Sequence, residues 1–310
     1  MAKMHHLDKS VTTSRWNRDL APRLEIDSGD EISLEMHDAS GGQVTPGMTA
    51  EAFSQIDTTR IHSLTGPVAV KGAVAGDILK VEILEVAHEG WAWTSIIPGL
   101  GLLDGRFEHH FLHHWELEAE QTRSMPGVVL DLHPFCGVMG VQRAEPGEFR
   151  TRPPGPWGGN MDVKHLVAGT TLYLPVFTDG AGFCAGDSHG AQGDGEVSIN
   201  GMEAPMRATF RLSLEKDLQL SGPQAVVPRT ALSPRYQDQP WTAFIESDAD
   251  PRAASQRVVE RAMEYLERRI GISPQEAYVL CSVVLDLKLS QLVNVPMTTV
   301  TGYLPEAIFV

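Results

Sequence analysis

Residues 207–214 read Arg207-Ala208-Thr209-Phe210-Arg211-Leu212-Ser213-Leu214, and their polar and apolar side chains alternate. Alternation with a period of two predicts a β-strand with one buried face. Residues 78–86 alternate less regularly and follow the turn Gly76-Asp77, which predicts a second strand. The 29 Gly and 20 Pro residues that separate such runs favour packed antiparallel sheets or a barrel over βαβ units. Further short strands are predicted at residues 94–97, 127–132, 292–295 and 307–310.

Helical periodicity begins only near residue 250. Apolar residues recur at near-helical spacing from Pro251 to Ile270, and Gly271 supplies a C-terminal stop. The pattern Ser273-Pro274-Gln275-Glu276 combines a cap, a proline at the first helical position and a capping-box glutamate. It predicts a second, short helix through Cys281.

The composition predicts an ordinary soluble globular protein, with 42% hydrophobic and 21% charged residues among 310. Its net charge of −15 argues against nucleic acid or an anionic membrane as partner, because either would repel the chain. Since the N-terminus lacks an apolar segment and no run approaches 18 apolar residues, we expect a cytoplasmic protein. No glycine motif of a nucleotide-binding fold is present.

Three cysteines, Cys136, Cys184 and Cys281, are widely spaced and form no CxxC pair. They predict neither a disulfide framework nor a thiolate zinc site. A nitrilase-like attack by Cys136 or Cys184 would need a neighbouring base or cation to lower the thiol pKa, and the sequence places none beside them. We interpret both as structural.

The richest cluster of reactive groups is Gly186-Asp187-Ser188-His189-Gly190-Ala191-Gln192-Gly193-Asp194-Gly195-Glu196. Glycine lets a backbone turn tightly, so such a loop is able to aim several ligands at one point. Acidic hairpin turns use the same Gly-Asp and Asp-Gly pairs. The additional imidazole favours a site for a metal or for proton transfer.

The first five residues of this loop also match G-x-S-x-G, the nucleophile elbow of serine hydrolases. That motif requires a strand, a sharp turn and a helix, and the glycines after Ser188 disfavour the helix. A serine hydrolase using Ser188 remains an alternative. A second alternative is a non-catalytic β module that binds a small molecule or a metal.

A histidine cluster spans residues 108–115, Glu108-His109-His110-Phe111-Leu112-His113-His114-Trp115. On a helix, His109 with His113 and His110 with His114 would form i, i+4 pairs suited to a metal. The continuation from Trp115 alternates like a strand, which would divide the imidazoles between two faces. We therefore do not place the principal metal site there.

Five segments, in order, resemble signatures of the acetamidase/formamidase family. The C-terminal Leu304-Pro305-Glu306-Ala307-Ile308-Phe309 fits as well. The chain departs from the family's pattern at Ser188-His189-Gly190-Ala191 and in the histidine cluster. The matching segments are Ile61-His62-Ser63-Leu64-Thr65-Gly66-Pro67-Val68 with 72–77, Pro134-Phe135-Cys136-Gly137-Val138-Met139-Gly140-Val141, Gly158-Gly159-Asn160-Met161-Asp162, Leu174-Pro175-Val176, and Gly186 to Glu196.

The resemblance implies a mainly β fold, a jelly-roll-like β-sandwich with a smaller mixed α+β part and helices concentrated after residue 250. We expect one unit over residues 1–310, divided approximately into a β-rich part, 1–165, and a mixed part, 166–310. The implied activity is hydrolysis of small linear amides such as acetamide or formamide, at C–N bonds other than peptide bonds, to carboxylate and ammonia. A homo-oligomer is the expected assembly.

The resemblance also implies a bound divalent metal, and the chemistry of amides agrees. Amide hydrolysis needs a polarised carbonyl, an activated water and a proton for the departing amine. A zinc-like ion with His and carboxylate ligands lowers the pKa of a water towards roughly 7. Zinc is the expected ion, with calcium or another divalent ion as alternatives, because His plus carboxylates suits several.

Asp187 and His189 are the predicted metal ligands, because residues i and i+2 of an extended segment point to the same side. His62 is the predicted ligand from a distant segment, since Thr65-Gly66-Pro67 after it marks the end of a loop. A buried structural histidine is the alternative for His62. Asp38 is a weaker candidate for a fourth ligand.

Glu196 is the predicted proton shuttle, and Asp194 is either a second catalytic carboxylate or a turn residue. Asn160 and Asp162 are expected to reach the substrate amide or to support the metal ligands, with a turn residue as the alternative for Asp162. Gln192, in the same loop, is predicted to bind the substrate.

Overall fold

The computed structural model describes residues 2–100, 108–124, 130–192, 196, 199–227, 240–272, 285–306 and 309. The protein is mainly β, as the sequence predicts. The strands before residue 165 are β1 (Met4–Leu7), β2 (Thr12–Thr13), β3 (Arg15–Trp16), β4 (Leu24–Ile26), β5 (Asp30–Met36), β6 (Leu64–Val70), β7 (Ile78–His88), β8 (Trp91–Ile96), β9 (Phe111–Glu116), β10 (Gln121–Thr122), β11 (Leu130–Asp131), β12 (Phe135–Gly140), β13 (Phe149–Arg150) and β14 (Gly158–Asn160).

The later strands are β15 (Thr171–Pro175), β16 (Phe183–His189), β17 (Met206–Glu215), β18 (Gln224–Val227), β19 (Trp241–Asp248), β20 (Asp286–Gln291) and β21 (Thr298–Pro305). Two α-helices are described, α1 (Ala50–Phe53) and α2 (Pro251–Ile270), together with a 3-10 turn at Thr58–Arg60. The long helix therefore lies after residue 250, as expected.

Two large sheets form the body of the molecule. One has nine strands in the order β1-β5-β17-β7-β15-β18-β19-β21-β20. The other has the order β14-β12-β16-β6-β2, with β4 paired to β6. Strands β5, β7, β15 and β17 of the first sheet and β6, β12 and β16 of the second contribute buried side chains to one hydrophobic core. That shared core makes the two sheets a sandwich.

Strand β17 confirms the alternation predicted for residues 207–214. It pairs antiparallel with β5 on one side and β7 on the other, so it is a central strand. Phe210 is fully buried and its ring contacts that of Phe183 from the other sheet, with 5.3 Å between centroids. Arg207 is exposed and Arg211 is half-buried, because they point to the opposite face.

Helix α2 confirms the predicted bounds. The Asp250 carboxylate accepts the N–H of Arg252 at its start, and Gly271 ends it with a left-handed backbone at φ 69°. Its buried face packs on β19 and β21 in a second hydrophobic core. The helix residues in that core are Ala254, Val258, Ala262 and Leu266. Neither described α-helix combines the length and apolar character needed to span a membrane.

The strand predicted at 292–295 is wrong: these residues form the turn between β20 and β21. The side-chain oxygen of Gln291 accepts the N–H groups of Val293 and Asn294, which removes both donors from any sheet ladder. Pro296, next in the chain, has no N–H to offer. An apolar run alone does not distinguish such a capped turn from a strand.

Other predictions fall partly or wholly on residues outside the described ranges. These are the helix from Ser273 to Cys281, most of the strand at 307–310 and half of that at 127–132, of which the part that contains β11 is described. The subdivision at residue 165 stays a prediction. The nine-stranded sheet takes β1, β5 and β7 from before that residue and its other strands from after it.

Candidate active site

The site is built on strand β16, which lies between β12 and β6 in the smaller sheet. Asp187 and His189 are among the last three residues of this strand, and both are buried. The Asp187 backbone is left-handed at φ 53°, yet the two side chains still meet, with 3.8 Å between His189 Nε2 and Asp187 Oδ1. Ser188, between them, points into the core, where its Oγ lies 3.8 Å from Met36 Sδ.

His62 approaches from the segment before β6. Its Nε2 lies 3.7 Å from Asp187 Oδ2. The hydroxyl oxygen of Thr151 accepts the backbone N–H of His62 at 2.9 Å, which fixes this part of the chain. The three predicted metal ligands therefore converge in the structure, although they come from two segments more than 120 residues apart.

Two glutamates close the other side of His189. Nε2 of His189 is 3.1 Å from Glu203 Oε1 and 3.9 Å from Glu196 Oε1. Sequence reasoning missed Glu203, which lies in Gly201-Met202-Glu203-Ala204-Pro205-Met206. The available signal was a single carboxylate surrounded by apolar residues and glycine, since charged side chains are rarely buried without a partner. Glu203 is buried.

Asp162 completes the cluster. One ligand atom each of Asp162, His189 and Glu196 lies within 4.8 Å of the others, and the same holds for Asp187, His189 and Glu203. Gly137 makes room for them: a Cβ there would be 2.5 Å from Asp162 Oδ1 and 2.8 Å from the carbonyl oxygen of Asp187. Any other residue at 137 would push into the carboxylates.

Many polar atoms of this cluster have no hydrogen-bond partner although they are buried. Unpaired buried polar atoms are costly and rare, so a group of them indicates a ligand that satisfies them. A divalent cation fits this donor set of carboxylate and amide oxygens with imidazole nitrogen. The unpartnered atoms are Asn160 Oδ1, Asp162 Oδ1, Asp187 Oδ1, His189 Nε2, Glu196 Oε2 and Glu203 Oε2.

The carboxylates differ in their protonation. Burial, with the charge of Asp187 added, raises the pKa of Asp162 well above its usual range. Burial and the neighbouring Asp162 do the same to the pKa of Glu196. Burial raises the pKa of Glu203 to about 7. Several buried acids lie so close together that their ionised forms repel one another, and a bound cation would offset that repulsion.

Asp187 is the exception among these acids. Burial raises the pKa of Asp187, but the charge of His62 and the hydrogen bonding with His189 outweigh it and bring the value to about 2. Burial lowers the pKa of His189, but Glu203 and Asp187 outweigh that effect and the net shift is upward. Burial lowers the pKa of His62. Asp187 is therefore the permanent anion of the site.

Gln192 is held entirely by protein groups. Its Oε1 lies 2.8 Å from His189 Nδ1, and its Nε2 donates to the carbonyl of Asp162 at 2.9 Å and of Ser290 at 3.4 Å. Because an amide oxygen only accepts, His189 Nδ1 carries a proton, and Nε2 is left to face the carboxylates, where it would bind a cation once it is deprotonated. The predicted contact of Gln192 with substrate stays a prediction. Asp194 lies outside the described residues.

Asp38 lies outside both groups of potential ligands. Its Oδ1 accepts the indole N–H of Trp93 and the N–H of Ser40, and its Oδ2 accepts that of Gly42.

Burial raises the pKa of the Cys136 and Cys184 thiols to about 12, so both stay protonated at neutral pH.

The described part of the chain supplies no base for Ser188, whose hydroxyl contacts only sulfur atoms, of Met36 and of Cys136. This environment gives no support to a serine nucleophile.

Residues 111–115 of the histidine cluster belong to strand β9 rather than to a helix, which confirms the alternation. His114 Nε2 lies 2.9 Å from the carbonyl oxygen of Met48, and the ring of His113 contacts that of Trp115, 4.2 Å away. His109 is exposed. None of these three belongs to the groups of potential metal ligands found among the described residues.

A cavity of about 90 Å³ opens onto the carboxylates. Helix α1, strand β8 and the chain after it supply an apolar wall. Arg152, His110, Asn200 and Asn294 add polar groups, and Asn294 Nδ2 donates to Asp162 Oδ2 at 2.5 Å. The wall consists of Ala39, Phe53, Ile56, Ile61, Trp93, Ile97 and Ile199.

Several known proteins are similar to this chain over most of its length. A formamidase from Methylophilus methylotrophus is 26% identical over 96% of this chain and 89% of its own. An acetamidase from Mycolicibacterium smegmatis is 25% identical over 86% of this chain and 84% of its own. The crystal structure of an acetamidase from Bacillus halodurans superposes with a TM-score of 0.89 at 30% identity, covering 98% of both chains.

The sequence profile of the Acetamidase/Formamidase family matches residues 1–146 and 141–310. The two matches together extend over the whole chain. This protein belongs to the Acetamidase/Formamidase family.

Proposed function

We propose that this protein is a metal-dependent amidohydrolase that splits small linear amides into a carboxylate and ammonia. The observation that carries the proposal is the convergence of buried, unpartnered oxygen and nitrogen atoms at the base of the cavity. Relatives named formamidase and acetamidase support the amide as substrate class.

His189 Nε2, Asp187 and Glu203 would hold the cation, with His62 and Asp162 within reach of the same centre. A divalent cation there would polarise the amide carbonyl and make a water more acidic. Zinc is the proposed ion, because the cluster offers imidazole nitrogen together with carboxylates. An all-oxygen site would instead favour calcium or magnesium.

Glu196 is the proposed proton shuttle. Its Oε1 is 3.9 Å from His189 Nε2, its Oε2 is unpartnered, and the residue lines the cavity. It accepts a proton from the water that attacks the carbonyl carbon and gives it to the nitrogen as the C–N bond breaks. The upward shift of the Glu196 pKa, caused by burial and by the neighbouring Asp162, makes its carboxylate a stronger base than that of a solvated glutamate, which suits the first of these transfers.

The size of the cavity supports a short acyl group. Its volume of about 90 Å³ suits a ligand of only a few non-hydrogen atoms. Asn160 Oδ1 is an unpartnered acceptor in the wall, and we propose that it receives an N–H of the amide. Cytoplasmic location and a homo-oligomer remain predictions, and the net charge of −15 supports the absence of nucleic-acid partners.

The test is an ammonia-release screen over formamide, acetamide and longer amides, with protein as isolated, metal-free protein and protein resupplied with zinc or calcium. We expect about one divalent ion per chain by elemental analysis, and turnover that is lost and regained with it. Turnover that survives complete metal removal would contradict metal dependence. Ligand binding without turnover of any amide would favour a non-catalytic binding module.

A further inference from the structure

Arg152 is a half-buried cation in the wall of the cavity that the proposed reaction does not use. It follows Thr151, whose side chain binds the backbone of His62, so its position is tied to the site. Within the described ranges its guanidinium forms no hydrogen bond and no ion pair with the rest of the chain. The chain thus brings a guanidinium to the wall of the cavity and gives it no direct partner among the described residues.

Arg261, which is buried, shows how an arginine with a structural role is held in this protein. Arg261 lies on the buried face of α2, and its guanidinium donates to the carbonyls of Ile245 and Gly222 and to Glu246 Oε1. That side chain is satisfied by the fold alone. Arg152 lacks such partners, which indicates that its partner arrives with the ligand.

Arg152 stays charged although it is half-buried beside the site. Burial and the neighbouring charge of Arg150 lower the pKa of the Arg152 guanidinium, whereas Asp187 and Glu196 raise it. An arginine nevertheless stays protonated under all ordinary conditions. Its five N–H donors form a planar fork that matches the two oxygens of a carboxylate.

Amide hydrolysis creates such an anion in this cavity, because a neutral substrate becomes a carboxylate. We propose that Arg152 is the acyl-recognition residue: its guanidinium binds the carbonyl oxygen of the substrate's acyl group and then both oxygens of the carboxylate product. The inference rests on the proposed function for the identity of the anion. It predicts that formate and acetate bind as ligands and inhibit the enzyme.

The experiment compares Arg152→Gln and Arg152→Lys with the wild type, by calorimetric titration with formate and acetate and by kinetics on the best amide. Arg150→Gln is the matched control, because Arg150 is the neighbouring arginine, is exposed and does not line the cavity. We expect Arg152→Gln to weaken carboxylate binding by about 10- to 100-fold, the usual effect of losing a charged hydrogen-bond pair.

Arg152→Lys should recover part of this affinity, because it restores the charge without the fork. Arg150→Gln should change it by less than about twofold, as expected for an exposed charge. Circular dichroism and metal content verify that each variant is folded and loaded.

Equal carboxylate affinity in wild type and Arg152→Gln would overturn the inference, as would a wild type that binds neither anion at millimolar concentration. Carboxylate binding that depends on Arg152, in a protein that hydrolyses no amide, would refute the proposed function and leave the recognition role standing. Turnover of amides together with carboxylate binding that does not depend on Arg152 would refute the recognition role and leave the proposed function standing.

Discussion

At the scale of single residues, three carboxylates of the site share an unusual backbone. Asp162, Asp187 and Glu196 have φ values of 51°, 53° and 46°, a region that side-chain-bearing residues rarely adopt. Such conformations cost about 1–3 kcal/mol each and persist only where the surroundings enforce them. The strain is concentrated where the carboxylates must converge, which links the backbone to the proposed chemistry.

Exchange of Glu196 and of His189 should have different consequences. Glu196→Gln keeps size and polarity but removes the base, so kcat should fall by roughly 10²–10⁴ while the metal remains. His189→Ala removes a ligand and should lose metal and activity together. Kinetics and elemental analysis of both variants check this. A Glu196→Gln protein with near-normal turnover, or without metal, would assign Glu196 a different role.

Gln192 should act on the metal through His189. Gln192→Leu keeps the volume but removes the acceptor for His189 Nδ1, so metal affinity should fall by about 10- to 100-fold, as is usual when the partner of a ligating histidine is lost. Gln192→Glu keeps an acceptor and should retain most of the affinity. Competition with a chromogenic chelator measures both. Unchanged affinity in Gln192→Leu would show that the tautomer of His189 is set by another group.

At the scale of elements, the apolar wall combines pieces that have no sequence relation. Phe53 of α1 lies against Trp93 of β8, with 5.4 Å between ring centroids, and against His110 before β9 at 6.2 Å. The paired strands β8 and β9 thus contribute to one side of the cavity, and the smaller sheet carries Asp187 on the other. We expect this wall to set the length of the acyl group.

Ile97→Ala should enlarge the cavity and shift the preference towards longer amides. The ratio of kcat/KM for propionamide over formamide should rise roughly tenfold, because one or two methylenes in an apolar pocket discriminate by about 1–3 kcal/mol. Ile270→Ala is the matched control, since Ile270 is 46% exposed at the end of α2. An equal shift in both variants would mean that the wall does not select the substrate.

At the scale of the whole molecule, the buried acids make folding of the metal-free protein depend on pH. Glu203 has a reference pKa of 4.5 and a pKa of about 7 in the fold. Between these values the folded protein binds more protons than the unfolded chain, so the free energy of unfolding falls as pH rises. The stabilisation from Asp187, whose pKa is lowered to about 2, is lost only at more acidic pH.

Metal-free wild type should therefore lose stability from pH 5 to pH 8 relative to metal-free Glu203→Gln. The difference should approach 3 kcal/mol, on the order of the pKa shift converted at about 1.4 kcal/mol per unit. Comparison with Glu203→Gln is needed because burial lowers the pKa of His62, which acts in the opposite direction. Urea unfolding at several pH values measures it. Parallel pH profiles of the two proteins would contradict the prediction.

The same cluster should couple metal binding to folding. Saturating metal at pH 8 should raise the melting temperature of the wild type, because a ligand that binds only the folded state stabilises it. The gain should be smaller in Glu203→Gln, where one repelling carboxylate is absent.

The sequence by itself determined the features that depend on neighbours along the chain. The alternation of residues 207–214 specified a half-buried strand, and Pro251 to Gly271 specified a helix with its stop. The order of the family segments specified the fold, and Asp187 and His189 were identifiable because they stand two residues apart in one strand. All these signals lie within a few residues and follow from backbone geometry.

Only the tertiary structure decided which distant groups meet. Arg152 and Asn294 carry no local pattern, and Glu203 is marked only as a lone carboxylate among apolar residues. All three reach the cavity because the packing of separate segments brings them there. The apolar pattern of residues 292–295 also did not reveal the turn. It forms because the side chain of Gln291 accepts the N–H groups of Val293 and Asn294, which are then not available to the sheet. A site of this kind depends on long-range packing and on which polar atoms stay unpaired after folding, and neither quantity is a property of any short stretch of sequence.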